Sequence, residues 1–359
     1  MIGEKNKFMN RIIKTLIGLS IIFFLITIYL FFIGQISESG PFMILFFLFL
    51  ALGIRVSDRF KGLTFTILIF AAVSLSMYYP QYFIQIGDFQ LKKLIVPLLQ
   101  VIMFGMGTAM SFNDFYGVIK MPKGVFVGLV CQFSIMPILG FTLATLFNFP
   151  AEIAAGVVLI GSSPSGLASN VMAYLAKANI ALSVTLTAVA TLVAPFMTPL
   201  LMKYLAGSFV PIDFISMMIS IIKIVILPIS VGLIFNHFFH GKVKWLDKTM
   251  PIISMAGIAL IIMIITAAGR DDLLTIGILL IITAIIHNLM GYLFGYWGCR
   301  LLKMKEQDCR TIALEVGMQN GGLDSGIALE MGKISTVVLA PAIFGPWMNI
   351  SGSSLATCW

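Results

Sequence analysis

Apolar runs of about 17 to 25 residues recur along this chain, the length an α-helix needs, at about 1.5 Å per residue, to cross roughly 30 Å of hydrocarbon. Within a bilayer core the backbone must pair its own N–H and C=O groups, which leaves helices or a closed barrel. A barrel needs alternating segments of about ten residues separated by polar turns. These runs are instead continuous and rich in Leu, Ile, Met and Ala. The chain therefore reads as an all-α polytopic membrane protein. Its 59% hydrophobic and 11% charged residues agree with that reading, since a soluble domain carries about 25% charged residues.

The continuous runs fall at 15–34, 41–54, 62–79, 94–110, 124–146, 181–202, 214–236, 250–268, 274–298 and 335–357. Two further segments, 152–178 and 311–331, are apolar but interrupted. The fourteen residues of 41–54 are marginal for a crossing, so this stretch reads as a tilted or end-extended span, or as a re-entrant hairpin. Tyr78 and Tyr79 close the 62–79 run, as suits residues that favour the headgroup level. The first run lacks a small-x-small cleavage site and is read as a span, not a signal peptide.

The net charge of +8 is spread over the links between runs, which is not the single basic patch a nucleic acid requires. It reports orientation instead. Lys5, Lys7, Arg11 and Lys14 precede the first run, and Arg55, Arg59 and Lys61 follow the second. Lys120 and Lys123, then Lys242, Lys244 and Lys248, then Arg300, Lys303, Lys305 and Arg310 mark alternate later links. The positive-inside rule makes those links cytoplasmic, and both termini are expected there, in the cell's inner (plasma) membrane. Cys131, Cys299, Cys309 and Cys358 lack metal-ligand or disulfide spacing and are read as free thiols.

The interruptions carry the chemistry. The first is PSGLASN at 164–170 and the second is EVGMQNGGLDSG at 315–326. Each follows a long run and a short link, and each precedes a further run. Corresponding Gly- or Pro-interrupted segments in two halves point to a transporter site. Glu315 is the most informative residue, because a carboxylate in hydrocarbon must be paired, coordinated or protonated. On a helix leading into the break, Gln319 shares its side, and Asn320 follows.

In the first half, Ser169 and Asn170 lie in the break, while Ser183 and Thr187 stand one helical turn apart. Hydroxyls, amides, unwound carbonyls and one carboxylate suit a hard cation, with Na⁺ a better fit than Mg²⁺. Taken alone, Ser183 and Thr187 read as hydroxyls bonded back to the preceding turn. Gln132, in CQFSIMP, needs a partner helix or an ion. Pro137 and Pro195 are candidate kinks. His287 reads as a packing residue, Lys223 as a snorkelling one, and Glu330 with Lys333 as an interfacial ion pair.

At these residues the sequence resembles the bile acid:sodium symporter family in its bacterial branch. The resemblance rests on IMFGMGTAMSFNDF (102–115), QFSIMP (132–137), NFPAEIAAGVVLIG (148–161), ASNVMAYLAKANIALSV (168–184), ALEVGMQNGGL (313–323) and NISGSSLAT (349–357). It runs from about Lys61 to the last residue.

The resemblance implies a ten-helix inverted-repeat core in which two discontinuous helices cross. The repeats are placed at 61–205 and 206–359, after an extension at 1–60 that holds one or two membrane segments. A panel domain is expected from about 62–110 and 214–268, and a core domain from about 124–202 and 274–357. One sodium site would use Ser169, Asn170, Ser183, Thr187 and Glu315. The other would use Gln132, Glu315, Val316, Met318 and Gln319. Asn320, Leu167, Asn349 and Asp324 are placed at a substrate crevice.

The expected activity is import of an organic anion by alternating access, with Na⁺ as the coupling ion at two sites. The anion is bile-acid-like or a small carboxylate such as pantothenate. A proton-coupled or uncoupled anion carrier, or an exporter, on the same fold is the alternative. The expected partners are the anion and membrane lipid, with no nucleic acid, and the expected assembly is a monomer. The extension, Leu167, Asn349 and the acid at Asp324 depart from the family pattern and leave the substrate open. No coherent catalytic set supports an enzyme.

Overall fold

The described residues of the computed structural model are 2–56, 63–239, 243–333 and 335–359, without the side chains of 2–10, 244, 247 and 248. Arg59, Lys61, His240 and Lys242, and the side chains of Lys5, Lys7, Lys244 and Lys248, lie outside that set. In chain order the first helices are α1 (Ile2–Phe32), α2 (Ile36–Arg55), α3 (Thr64–Tyr78), α4 (Gln81–Ile84), α5 (Ile95–Thr108) and α6 (Phe112–Lys120). Next come α7 (Pro122–Leu146), α8 (Ala151–Gly161), α9 (Ala168–Leu175), α10 (Ile180–Leu205), α11 (Phe214–Ile221) and α12 (Leu227–Phe239). The series ends with α13 (Lys244–Ala268), α14 (Arg270–Leu301), α15 (Glu306–Gly317), α16 (Gly321–Glu330) and α17 (Leu339–Cys358). Among the described residues, eight helices are long and apolar enough to cross a membrane, and Thr64–Tyr78 and Ala151–Gly161 are shorter apolar helices.

The chain divides into two units. The first comprises Met1–Lys92 and Ala259–Arg270. Of the alternatives for 41–54, α2 matches the end-extended span and not the re-entrant hairpin: it is a continuous helix of 20 residues that starts five residues before Pro41. The polar residues ahead of Pro41 extend the helix instead of ending it. Ser39 Oγ lies 2.6 Å from the Ile36 carbonyl and 2.7 Å from the Tyr78 hydroxyl, so its burial leaves no group unpaired. Phe23 and Phe49 pack at 5.4 Å between α1 and α2, and Arg270 Nε donates to the Met77 carbonyl at 2.8 Å. A two-stranded hairpin, β1 (Gln85–Ile86) and β2 (Phe89–Gln90), follows α4.

The second unit comprises Lys93–Ile258 and Asp271–Trp359. Its centre is α8, where every residue from Ile153 to Gly161 is buried. Local signals start the surrounding helices. Pro122 stands in the first turn of α7, where its missing N–H costs nothing. Asp213 accepts from the Ile215 and Ser216 amides at the start of α11, and Ser111 and Asp114 form a capping box on α6. Between α11 and α12 the chain makes a π-helical turn, Ile222–Ile226, and its Lys223 is exposed.

Lys333 departs from expectation. Its ammonium pairs with Glu152, the first acid of α8, and not with Glu330. The reason lies in the end of α16, where Gly332 adopts φ +72° and the Lys333 amide closes back on the Ala328 carbonyl. This left-handed turn swings Lys333 away from its own helix. Glu330 instead receives Ser220 Oγ at 3.4 Å.

The pairing of α5 with α12 depends on two glycines that meet backbone to backbone. A Cβ on Gly107 would fall 2.9 Å from the Ile229 carbonyl carbon, and one on Gly232 would fall 2.9 Å from the Thr108 nitrogen. Neither neighbour can rotate away. Gly107→Val should therefore lower the thermal unfolding midpoint in detergent by an amount equivalent to about 1–3 kcal/mol. Gly18→Val, at a position with nothing within 4 Å, should leave it nearly unchanged.

Candidate functional site

Both interrupted segments are broken helices. In the first, α8 ends at Gly161 and α9 begins at Ala168. Pro164 cannot supply the amide that would continue the helix. In the second, α15 ends at Gly317, Met318 is extended (φ −112°, ψ 94°), and α16 begins at Gly321. The breaks satisfy each other. Ser165 and Gln319 form an antiparallel bridge, the Gly166 amide donates to the Met318 carbonyl at 3.0 Å, and the Asn320 amide donates to the Pro164 carbonyl at 2.9 Å.

Glu315 lies in the last turn of α15, 3% exposed. Its Oε1 accepts from Ser169 Oγ (2.6 Å) and Ser183 Oγ (2.5 Å), and its Oε2 accepts from Ser165 Oγ (2.6 Å) and Thr187 Oγ1 (2.9 Å). Asn170 Oδ1 stands 2.8 Å from Ser183 Oγ and 3.3 Å from Thr187 Oγ1. A hydroxyl has one proton and two lone pairs, so Ser183 and Thr187 serve Glu315 or Asn170 at a given moment. Their hydroxyls face this cluster and do not bond back to the preceding turn, unlike Thr191, which donates to the Thr187 carbonyl. The result is a buried shell of oxygen atoms with few protons to share.

A second group adjoins it. Gln132 Nε2 donates to the Ser163 carbonyl (2.7 Å) and to Gln319 Oε1 (2.6 Å). Gln319 Nε2 donates to the Val316 carbonyl at 2.8 Å. Gln132 Oε1 is buried with no partner among the described residues. Val316 and Met318 are buried, and the Met318 carbonyl is the one bonded to Gly166. The structure thus brings together Ser169, Asn170, Ser183, Thr187 and Glu315, and next to them Gln132, Val316, Met318 and Gln319.

The four residues expected at a crevice are more dispersed. Asn320 is 8% exposed, and its Oδ1 accepts the Leu323 amide at 3.2 Å to cap α16. Leu167 is exposed at the surface of the first break. Asn349 bonds the Gly345 carbonyl within its own helix. Asp324 is completely buried and accepts from Ser163 Oγ. A cavity of about 430 Å³ at the other ends of α8 and α16 is lined by Glu152, Asp213, Glu330 and Lys333 among others, and by none of these four.

Several participants were not singled out by sequence reasoning. Ser165 sits inside the PSGLASN interruption yet looks no different from its neighbours until the crossing turns it onto Glu315. Ser163 precedes Pro164 and contributes both its carbonyl and its hydroxyl. Asn288, midway along α14, donates to the Gly317 carbonyl at 2.7 Å and accepts from Ser351 Oγ at 2.6 Å. It holds the frayed end of α15, and a single amide in a 32-residue helix gives no sign of that. His287 Nε2 meets the Met136 carbonyl at 3.0 Å, as a packing residue does. The four cysteines are free, with Cys358 exposed and the others buried.

Two broken helices joined at their breaks around a buried carboxylate, within a multi-pass helical bundle, define a membrane transporter and not an enzyme. Residues 96–276 match the Sodium Bile acid symporter family, and the chain belongs to that family. It is 41% identical over 307 residues to YocS of Bacillus subtilis (strain 168), an uncharacterized sodium-dependent transporter, covering 85% of this chain and 94% of that one. It is 34% identical over 261 residues to the probable sodium/metabolite cotransporter BASS1, chloroplastic, of Arabidopsis thaliana (73% of this chain, 65% of that one). The rabbit (Oryctolagus cuniculus) ileal sodium/bile acid cotransporter is 34% identical over 244 residues, covering 66% of this chain and 69% of that one.

Removing the Asn288 amide leaves the Gly317 carbonyl without its donor and takes from the Ser351 hydroxyl its shortest acceptor contact, leaving it the Met348 carbonyl at 3.2 Å. Asn288→Ala should cost about 1–3 kcal/mol, seen as a lower thermal unfolding midpoint in detergent. Asn349→Ala, which breaks a bond only within its own helix, should give the smaller shift.

Proposed function

We propose that this chain is a sodium-coupled secondary transporter that imports an organic anion by alternating access. The observation that carries the reading is the Glu315 carboxylate, enclosed by the hydroxyls of Ser165, Ser169, Ser183 and Thr187 where the two breaks meet. Na⁺ is cargo here. Hard cations take oxygen ligands, and turning the hydroxyl lone pairs inward would present such a shell without moving the backbone. In this reading Ser169, Asn170, Ser183, Thr187 and Glu315 take one ion. Gln132, Glu315, Gln319 and the carbonyls of Val316 and Met318 take a second. The unpartnered Gln132 Oε1 supports the second assignment.

The fold proposed around these sites is a ten-helix inverted repeat, 61–205 and 206–359, with panel and core domains and an added segment at 1–60. Sodium would neutralise Glu315 and fix the two breaks relative to each other. The anion would then bind at the crevice side of the crossing, near Asn320, Leu167 and Asn349. There the amino-terminal turns of the half-helices favour negative charge. With two sodium ions per monoanion, one net positive charge would enter per cycle. The membrane potential then contributes about 2.3 kcal/mol per charge per 100 mV. The names of the relatives support sodium coupling, and the bile acid named for one of them supports an organic anion as substrate.

The test is electrogenic uptake into proteoliposomes with a sodium gradient imposed or removed, screening bile acids and small carboxylates. Wild type should show sodium-dependent inward current with one of these anions, and Glu315→Ala should abolish it. Ser165→Ala should retain current with a raised half-saturating sodium concentration, since one hydroxyl of four is lost. Uptake that ignores sodium and follows a pH gradient would overturn the assignment.

A further inference from the structure

Asp324 is a second buried carboxyl, and the sodium reading does not use it. It sits in the first turn of α16 and is 0% exposed. Ser163 Oγ donates to its Oδ1, with the Leu159 carbonyl 3.2 Å away as the other acceptor for that proton, while its Oδ2 is buried with no partner among the described residues.

Among the described residues no cation pairs with it. Of the elements packed against α16, namely α5, α8, α11, α17 and the π-helical turn, α5 and α11 contain no titratable residue. On α8 the titratable group is Glu152, at the far end and engaged by Lys333 and Thr336. The π-helical turn carries Lys223, which is exposed, and α17 carries the exposed Cys358 at its end. Glu330, on α16 itself, is met by Ser220. An ionised Asp324 would therefore be a desolvated anion with one oxygen lacking any donor, a costly state. A proton on Oδ2 removes the charge and leaves Oδ1 free to accept from Ser163, which is the bond observed.

We propose that Asp324 is a proton-binding site within the second broken segment, distinct from Glu315, whose neutral form holds Ser163 against the start of α16. Ser163 also lends its carbonyl to Gln132, whose amide reaches Gln319. The proton thus supports the contact from which the Gln132–Gln319 pair is built. Loss of the proton at alkaline pH would place an anion under that contact and loosen the first break.

The proposal is independent of sodium coupling and is tested on the purified full chain in lipid with sodium absent. Infrared spectra are recorded at neutral pH for wild type, Asp324→Asn and Glu315→Gln. The expected result is a protonated-carboxyl band, shifted on transfer to D₂O, that is present in wild type and Glu315→Gln and missing in Asp324→Asn. A wild type without the band, or its survival in Asp324→Asn, overturns the proposal.

Thermal unfolding against pH is the second measurement. A proton held by the folded state and released on unfolding makes wild type less stable as pH rises. This loss reaches about tenfold in the folding equilibrium per pH unit over the interval where only the folded state holds the proton. Asp324→Asn should lack that loss, so its midpoint relative to wild type should rise with pH. A variant whose midpoint falls relative to wild type as pH rises would show that the fold relies on the ionised carboxylate, and the proposal would fail.

Discussion

Everything distinctive in this molecule depends on two interrupted helices completing each other's backbone. A gap in a helix exposes amides and carbonyls, and at bilayer depth neither lipid nor bulk water can pair them. Here the partners are the opposite gap: Gly166 with Met318, and Asn320 with Pro164. Side chains then cluster where the backbone has been opened, because the opening makes the room. Glu315 is tolerable in that position because Ser165 and Ser169 from one segment and Ser183 and Thr187 from α10 surround it with hydroxyls within donating distance.

Around the crossing, the second unit is arranged to hold each broken end in place. Asn288 and Ser351 secure the carbonyl where α15 stops. Asn179 caps α10 through the Leu182 amide and reaches Asp308 at 2.8 Å, linking the corner after α9 to the first turn of α15. Asn320 caps α16 as it leaves the break. Apart from the Asn179–Asp308 bond, which ends on a carboxylate, these are neutral hydrogen bonds to specific atoms, worth about 1 kcal/mol each. They set position more than they add stability.

Much of this was legible in the chain itself. Run lengths gave the helices to within a few residues for α7, α10 and α14, because a 3.6-residue helix in hydrocarbon leaves a continuous apolar record. The breaks announced themselves through Pro164, Gly166, Gly317 and Gly321, residues that interrupt such a record for reasons of backbone geometry. Glu315 stood out because ionised groups are expensive there. What stayed hidden depends on contacts between distant residues. Ser165 and Asn288 are ordinary polar residues until another segment arrives beside them. The extension of α2 ahead of Pro41 was one alternative among several because Ser37, Glu38 and Ser39 look like a link, yet Ser39 finds its partners on the helix and on Tyr78. Lys333 was assigned to the nearer acid in sequence, but Gly332 turns it toward the acid nearer in space.

The mutual pairing of the breaks also bears on how the protein is made. Ser165 and Glu315 are 150 residues apart, so a ribosome delivers the first break to the membrane well before its complement exists. During that interval the Pro164 carbonyl and the Gly166 amide lack their final partners, and contacts of such separation are slow to close. The newly inserted amino-terminal half therefore holds an incomplete break until Met318 and Asn320 emerge. Biogenesis of this protein is then a problem of timing, and a truncated chain ending before α15 would be a natural substrate for membrane quality control.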